Sequence, residues 1–139
     1  MNTRTKTALI AVGVMLGFWL LTKGLNSLVR SPGATSYAYN CAQCHGENGE
    51  GIGQLVPPLA NTDWLEENIN QVPCIIRHGI KDSLFVNGVW YNEEMLGLAQ
   101  LNDIQVANIT NYISKRFTKE QTFFTQDKVD ELLNACEID

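Results

Sequence analysis

The sequence predicts an all-α domain, and three observations carry that prediction. Near the C-terminal end, Val106, Ile109, Thr110, Ile113 and Phe117 share one face of 103–117 at helical spacing, and Val129, Leu132, Leu133 and Cys136 form one stripe of 127–136. Other segments are punctuated by turn formers, with four Gly and two Pro within 46–58. No segment sustains the period-2 alternation of a half-buried strand.

Taken in order, the elements start with residues 7–22, an uncharged and mostly apolar stretch of 16 residues between Lys6 and Lys23. As a helix it spans about 24 Å, somewhat short of a hydrocarbon core of about 30 Å. Lys6 and Lys23 can snorkel outward, and residues 24–29 can lengthen the helix into the interface. The expectation is a retained single-pass transmembrane anchor over 1–30. A cleaved signal peptide is the competing reading. Its nearest cleavage pattern, Ser36-Tyr37-Ala38, would leave only two residues before Cys41. Residues 31–36 read as a short Pro/Gly/Ser-rich linker, 37–118 as the domain proper, and 119–139 as a helical extension.

Within the domain, 36–44 is a helix candidate and 46–58 a loop. Thr62 or Asp63 caps a short helix through Asn68, with Asp63 and Glu66 in capping-box spacing. Residues 69–78 form another helix, stopped by Gly79. Residues 86–98 read as irregular, after which Asn102 caps 103–117.

Charge is unevenly placed. Residues 1–30 hold Arg4, Lys6, Lys23 and Arg30 and no acid; residues 31–139 hold all 15 acids against six bases, a net of −9. A basic head and an acidic body fit a chain meeting a membrane. A nucleic-acid role is excluded, because the folded part has no basic patch to neutralise phosphates.

The chemistry lies in Cys41-Ala42-Gln43-Cys44-His45, the C-x-x-C-H spacing of covalent haem attachment. Two thiols three residues apart on a helical turn reach the vinyl groups on one edge of a macrocycle, and the next side chain aims an imidazole at the iron. A structural zinc site fits worse, since the remaining Cys74 and Cys136 are isolated rather than paired in a second motif. A thioredoxin-like redox pair expects a preceding strand, and a helical stretch leads in here. For the second axial position, Met95 is the one thioether outside residues 1–30, and the other imidazole, His78, sits beside Arg77 at a helix end that favours a solvated cation. Met95 is therefore the expected partner of His45. An iron with two protein ligands suits electron transfer; one with an open position would suit a haem enzyme or gas sensor.

Together with GENGEGIG (46–53), VPPLA (56–60), Met95 and Leu101-Asn102-Asp103 leading to Asn111-Tyr112-Ile113, this motif resembles a single-haem class I cytochrome c over residues 36–117. The resemblance implies the class I cytochrome c fold, helices wrapped around one covalent haem c, here with an N-terminal transmembrane helix and a C-terminal extra helix. It implies attachment outside the cytoplasm and hence a haem domain on the periplasmic face of the cytoplasmic membrane. It also implies that the Pro57 carbonyl accepts a hydrogen bond from His45, and that Arg77, Trp64, Trp90 and Tyr91 pack against the haem or bind its propionates. The departure is Met95-Leu96, where Met-Pro is usual, so the ligand loop lacks a stiffening proline. In an oxidising compartment Cys74 and Cys136 read as a disulfide pinning the extra helix, with two buried free thiols as the alternative.

The function implied is a one-electron carrier of a respiratory chain, not an enzyme, taking electrons from a quinol-oxidising complex and delivering them to a terminal oxidase. Val56, Leu96 and Leu98 are the expected apolar rim of the exposed haem edge, and the acidic body implies partners with a positive docking face. A fixed subunit of a larger membrane respiratory complex is the alternative.

Overall fold

The structure, a computed structural model, describes residues 12–21 and 30–136. A compact unit begins at Pro32, and residues up to Ser31 form a separate unit. Of the expected anchor, residues 1–11 and 22–29 lie outside the described residues. Residues 12–21 are helical. Among the described residues no helix is long and apolar enough to cross a membrane.

The compact unit is mostly helical. Helix α1 (Pro32–Asn40) opens it, so the expected linker at 31–36 is corrected: Pro32 stands at the first helical position, where its missing N–H costs nothing. Gly33 in that segment is no linker residue either. A Cβ there would collide with the Asn108 carbonyl and the Tyr112 side chain, so the glycine lets α1 cross closely over α5 (Asp103–Phe117). Tyr37, 1% exposed, fills the crossing with its ring 4.9 Å from Tyr112 and 5.6 Å from Phe117.

A break at Cys41 separates α1 from the single turn α2 (Ala42–His45), where one continuous helix over 36–44 was expected. Thr62 caps α3 (Asp63–Asn68) by accepting from the Leu65 N–H. A 3-10 turn (Ile69–Gln71) leads into α4 (Val72–His78), which stops at Gly79 in the left-handed region at φ 82°.

The all-α expectation needs one correction. Between α4 and α5 lie two two-stranded antiparallel pairs. Strand β1 (Gly79–Ile80) pairs with β4 (Met95–Leu96), and β2 (Leu84–Val86) with β3 (Val89–Tyr91). The second pair is a hairpin whose turn, Asn87-Gly88, has both residues at positive φ, 50° and 80°. That is the turn whose twist matches the strands, and Asn-Gly is its strongest signal.

Helix α5 spans the core. Asn102 and Gln105 form a reciprocal capping box at its start, and Val106, Ile109, Thr110, Ile113 and Phe117 are all buried. Helix α6 (Gln126–Asn134) begins with Thr125 as its cap and buries Val129. The chain between α5 and α6 is fastened by side chains of α5: Asn111 exchanges two hydrogen bonds of 2.8 Å with the Phe124 backbone, and the Ser114 hydroxyl donates to the Thr122 carbonyl at 2.8 Å. The Cys74–Cys136 disulfide, with Cα atoms 5.8 Å apart, closes α6 onto α4.

Candidate functional site

The break at Cys41 is what aims the motif. Cys41 is buried, Cys44 three residues on is exposed, and both are free thiols. Together with the His45 ring they line one cavity of about 420 Å³. The Cys41 thiol, pushed up to about 11 by burial and then by the neighbouring Cys44, is uncharged at neutral pH.

His45 is fixed by a carbonyl. Its Nδ1 lies 3.0 Å from the Pro57 carbonyl oxygen. A carbonyl only accepts, so Nδ1 carries the proton and Nε2 keeps its lone pair. Burial lowers the pKa of His45, opposed by the hydrogen bond to Pro57, so the neutral form that can ligate a metal is the one present at neutral pH. The loop that supplies Pro57 is itself shaped for this. Gly51, at φ 69°, has the carbonyl of Val56 and the backbone of Pro57 and Pro58 where a Cβ would sit. Its N–H donates to the His45 carbonyl at 2.9 Å. On the other side, the Tyr37 hydroxyl donates to the Gly46 carbonyl at 2.8 Å, anchoring the residue after His45. Burial holds the Tyr37 phenol well above its ordinary pKa, so the donor stays protonated.

Met95 lines the same cavity from β4. The proline missing after it is replaced by a strand ladder: Ile80 pairs with Met95 and Gly79 with Leu96. This approach is so close that a Cβ on Gly79 would collide with the Met95 carbonyl. One on Gly97 would collide with the Arg77 carbonyl and the His78 backbone. Two glycines thus seat the Met95 segment directly on the end of α4.

The remaining expected residues divide. Trp64 and Tyr91 line the cavity. Arg77 and Trp90 are not among the residues that line it. Arg77 Nη2 pairs with Asp103 Oδ1 at 2.7 Å, tying the end of α4 to the start of α5, while its buried Nε–H has no partner among the described residues. Trp90 points away on the outer face of β3, 59% exposed and stacked on Phe85. His78 is exposed and outside the cavity. The sequence reading missed the hairpin wall, Leu84 and Val86, although Asn87-Gly88 between Leu-Phe-Val and Val-Trp-Tyr announced it. It also missed the apolar wall from Val72, Ile75 and Ile76, whose helix it did foresee.

A flat, mostly apolar macrocycle with one metal fits this donor set. The walls are chiefly aliphatic and aromatic, two free thiols stand three residues apart at the wall, and His45 and Met95 offer the nitrogen and thioether that suit haem iron, while Asp82, Glu93 and Glu94 line the cavity with exposed carboxylates. Among the described residues no cluster of His, Cys, Asp and Glu could hold a bare metal ion instead.

Comparison with known proteins agrees. The family model for cytochrome c matches residues 31–116. The chain is 36% identical over 100 residues, 69% of its length and 66% of the relative's, to a cytochrome c-552 of Thermus thermophilus. It is 32% identical over 91 residues, 64% of its length, to the FixP subunit of a cbb3-type cytochrome c oxidase from Azorhizobium caulinodans, of which it covers 30%. It is 41% identical over 49 residues to the cytochrome c subunit of a quinone alcohol dehydrogenase from Gluconacetobacter polyoxogenes, covering 34% of this chain and 10% of that one. With a C-x-x-C-H motif opening onto a mostly apolar cavity, the chain belongs, as a single-haem class I member, to the cytochrome c family, a family that carries covalent haem c.

Proposed function

We propose that the chain is a one-electron carrier of a respiratory chain, working between a quinol-oxidising complex and a terminal oxidase. The observation that carries this reading is the tautomer of His45. With Nδ1–H given to Pro57, Nε2 is left as a lone pair beside two free thiols and the thioether of Met95 in one apolar cavity. Cys41 and Cys44 would hold the haem covalently, His45 and Met95 would ligate its iron, and Trp64 and Tyr91 would pack against the ring. When bound, the haem supplies one electron at a time between ferrous and ferric iron.

The protein's share is to fix that centre. With His45 and Met95 both engaged by the iron, no position would remain for substrate, which favours transfer over turnover. The apolar walls exclude water and disfavour the extra charge of the oxidised state, which raises the reduction potential. The β1–β4 ladder holds Met95 without the usual proline. Leu96, 75% exposed, and Leu55 border the cavity and form an apolar rim with Val56 and Leu98 for contact with a partner.

The proposed location is the cytoplasmic membrane, single-pass, with the haem domain on the periplasmic face. Two features support it. The Cys74–Cys136 pair belongs to an oxidising compartment. The helical residues 12–21 expose Val12, Met15, Leu16, Phe18, Leu20 and Leu21 alike, an apolar surface on all sides that suits lipid. A second reading, a fixed subunit of a larger respiratory complex, draws on the relatives named as subunits of an oxidase and a dehydrogenase.

A haem stain on a denaturing gel tests the core of the proposal: colour migrating with this polypeptide is expected, and a colourless band contradicts it. Mild detergent extraction separates the two readings. A carrier elutes alone, whereas a subunit brings stoichiometric partners with it.

A further inference from the structure

The β2–β3 hairpin is two-faced. Leu84, Val86 and Tyr91 point inward and line the haem cavity, while Phe85 and Trp90, directly opposite in register, point outward. Their rings stack 5.0 Å apart at 48°, 46% and 59% exposed. Single exposed apolar side chains are ordinary; a paired aromatic platform one strand's thickness from a redox centre is not.

The hairpin is also held rigid where it could easily have been loose. Asn87 at its tip exchanges hydrogen bonds with Asp63, Nδ2 donates to the Asn61 carbonyl, and the Asp63 N–H returns a bond to Asn87 Oδ1. Acids stand at both ends. Asp63 sits at the tip, and Asp82, Glu93 and Glu94, all exposed, stand at the open end where they also line the mouth of the cavity, against Lys81 as the one base in 81–94.

We propose that the Phe85/Trp90 face is a second docking surface, beside the haem-edge rim, for a redox protein with a basic patch, seating an arginine or lysine of that partner on the Trp90 ring between the acids at the two ends of the hairpin. The inference rests on the electron-carrier reading and names where the partner sits. Charge complementarity selects the occupant. A guanidinium stacks on an indole face and gains from flanking acids, whereas four acids repel an anionic lipid surface.

The probe is a fluorescently labelled hexa-arginine peptide, titrated by anisotropy into the haem-loaded full chain at low salt. The double variant F85A/W90A changes only exposed side chains, and L96A serves as the rim control. F85A/W90A is expected to weaken binding about five- to tenfold, with L96A within twofold of the unmodified protein. In a 15N-labelled sample the Trp90 indole N–H moves on titration. Equal binding by F85A/W90A, or loss in L96A alone, overturns the proposal. So does a chain that ignores the peptide and sediments with phosphatidylglycerol vesicles in a Trp90-dependent way. A colourless protein would instead remove the electron-carrier reading, and the visible spectrum of the same sample tells that failure from the others.

Discussion

The His45–Pro57 hydrogen bond shows how a single backbone carbonyl sets the chemistry of a side chain: it chooses the tautomer, orients the ring and leaves Nε2 free. Met95 is the other half of that arrangement. Met95→Ala should open the iron to exogenous ligands, giving a high-spin optical spectrum and carbon monoxide binding at neutral pH; an unchanged low-spin spectrum would show that Met95 is no ligand. The seat of Met95 is as critical as its sulfur. Gly97→Ala should cost about 1–3 kcal/mol through overpacking against the end of α4. It should also weaken the methionine-to-iron charge-transfer band before the protein unfolds. Tyr37 makes a prediction with a pH sign. Its phenol ionises more readily in the unfolded chain, near pH 10, than in the fold, where burial raises its pKa. Its hydrogen bond to Gly46 therefore contributes fully below pH 10 and less as pH rises beyond it. Tyr37→Phe should lose about 1 kcal/mol at pH 7 in denaturant titrations, and the gap to the unmodified protein should narrow above pH 10. A gap that widens there would contradict the burial argument.

Among the elements, α6 is held by its disulfide to α4, well away from the haem motif in sequence. Cys74 and Cys136 are 62 residues apart. For a loop of that length chain entropy suggests about 4 kcal/mol, so Cys74→Ser with Cys136→Ser should lose on the order of 2–4 kcal/mol in stability and keep its haem spectrum. Loss of haem incorporation instead would mean that α6 shapes the cavity directly. How much of this was legible varies by element and for physical reasons. Helix α5 could be read to the residue, because Asn102, Gln105 and a buried stripe at period 3.6 all act locally. The haem motif was equally plain, since its spacing is itself the chemistry. Gly33 misled, because a glycine admitting a close helix crossing looks in sequence like a glycine loosening a linker. The hairpin was overlooked because its strands have three residues each, too few for alternation to show, although Asn87-Gly88 signalled it. Arg77 was read from its charge alone; its ion pair with Asp103, 26 residues on, is a contact that no local pattern reveals.

At the scale of the whole molecule the dominant feature is charge, a net of −9 over residues 31–139 surrounding one redox centre. Such a field steers encounters and is screened by salt. Oxidation of the ferrous protein by a cationic ammine complex should therefore slow as salt is added, while oxidation by the hexacyanoferrate(III) anion should quicken. Equal slopes for the two would show that the field does not reach the site of transfer. The architecture gathers every element around the same claim. Cys41 and helix α2 bring the thiols and imidazole, α4 and the hairpin supply walls, β4 brings the thioether, and α5 backs the cavity with Ile113. The most direct test is the intact mass of the denatured, acid-acetone-extracted protein. A mass equal to the polypeptide plus one haem is predicted, falling to the bare polypeptide in Cys41→Ser with Cys44→Ser. A bare polypeptide from the unmodified chain, with its pigment in the acetone, would contradict the account.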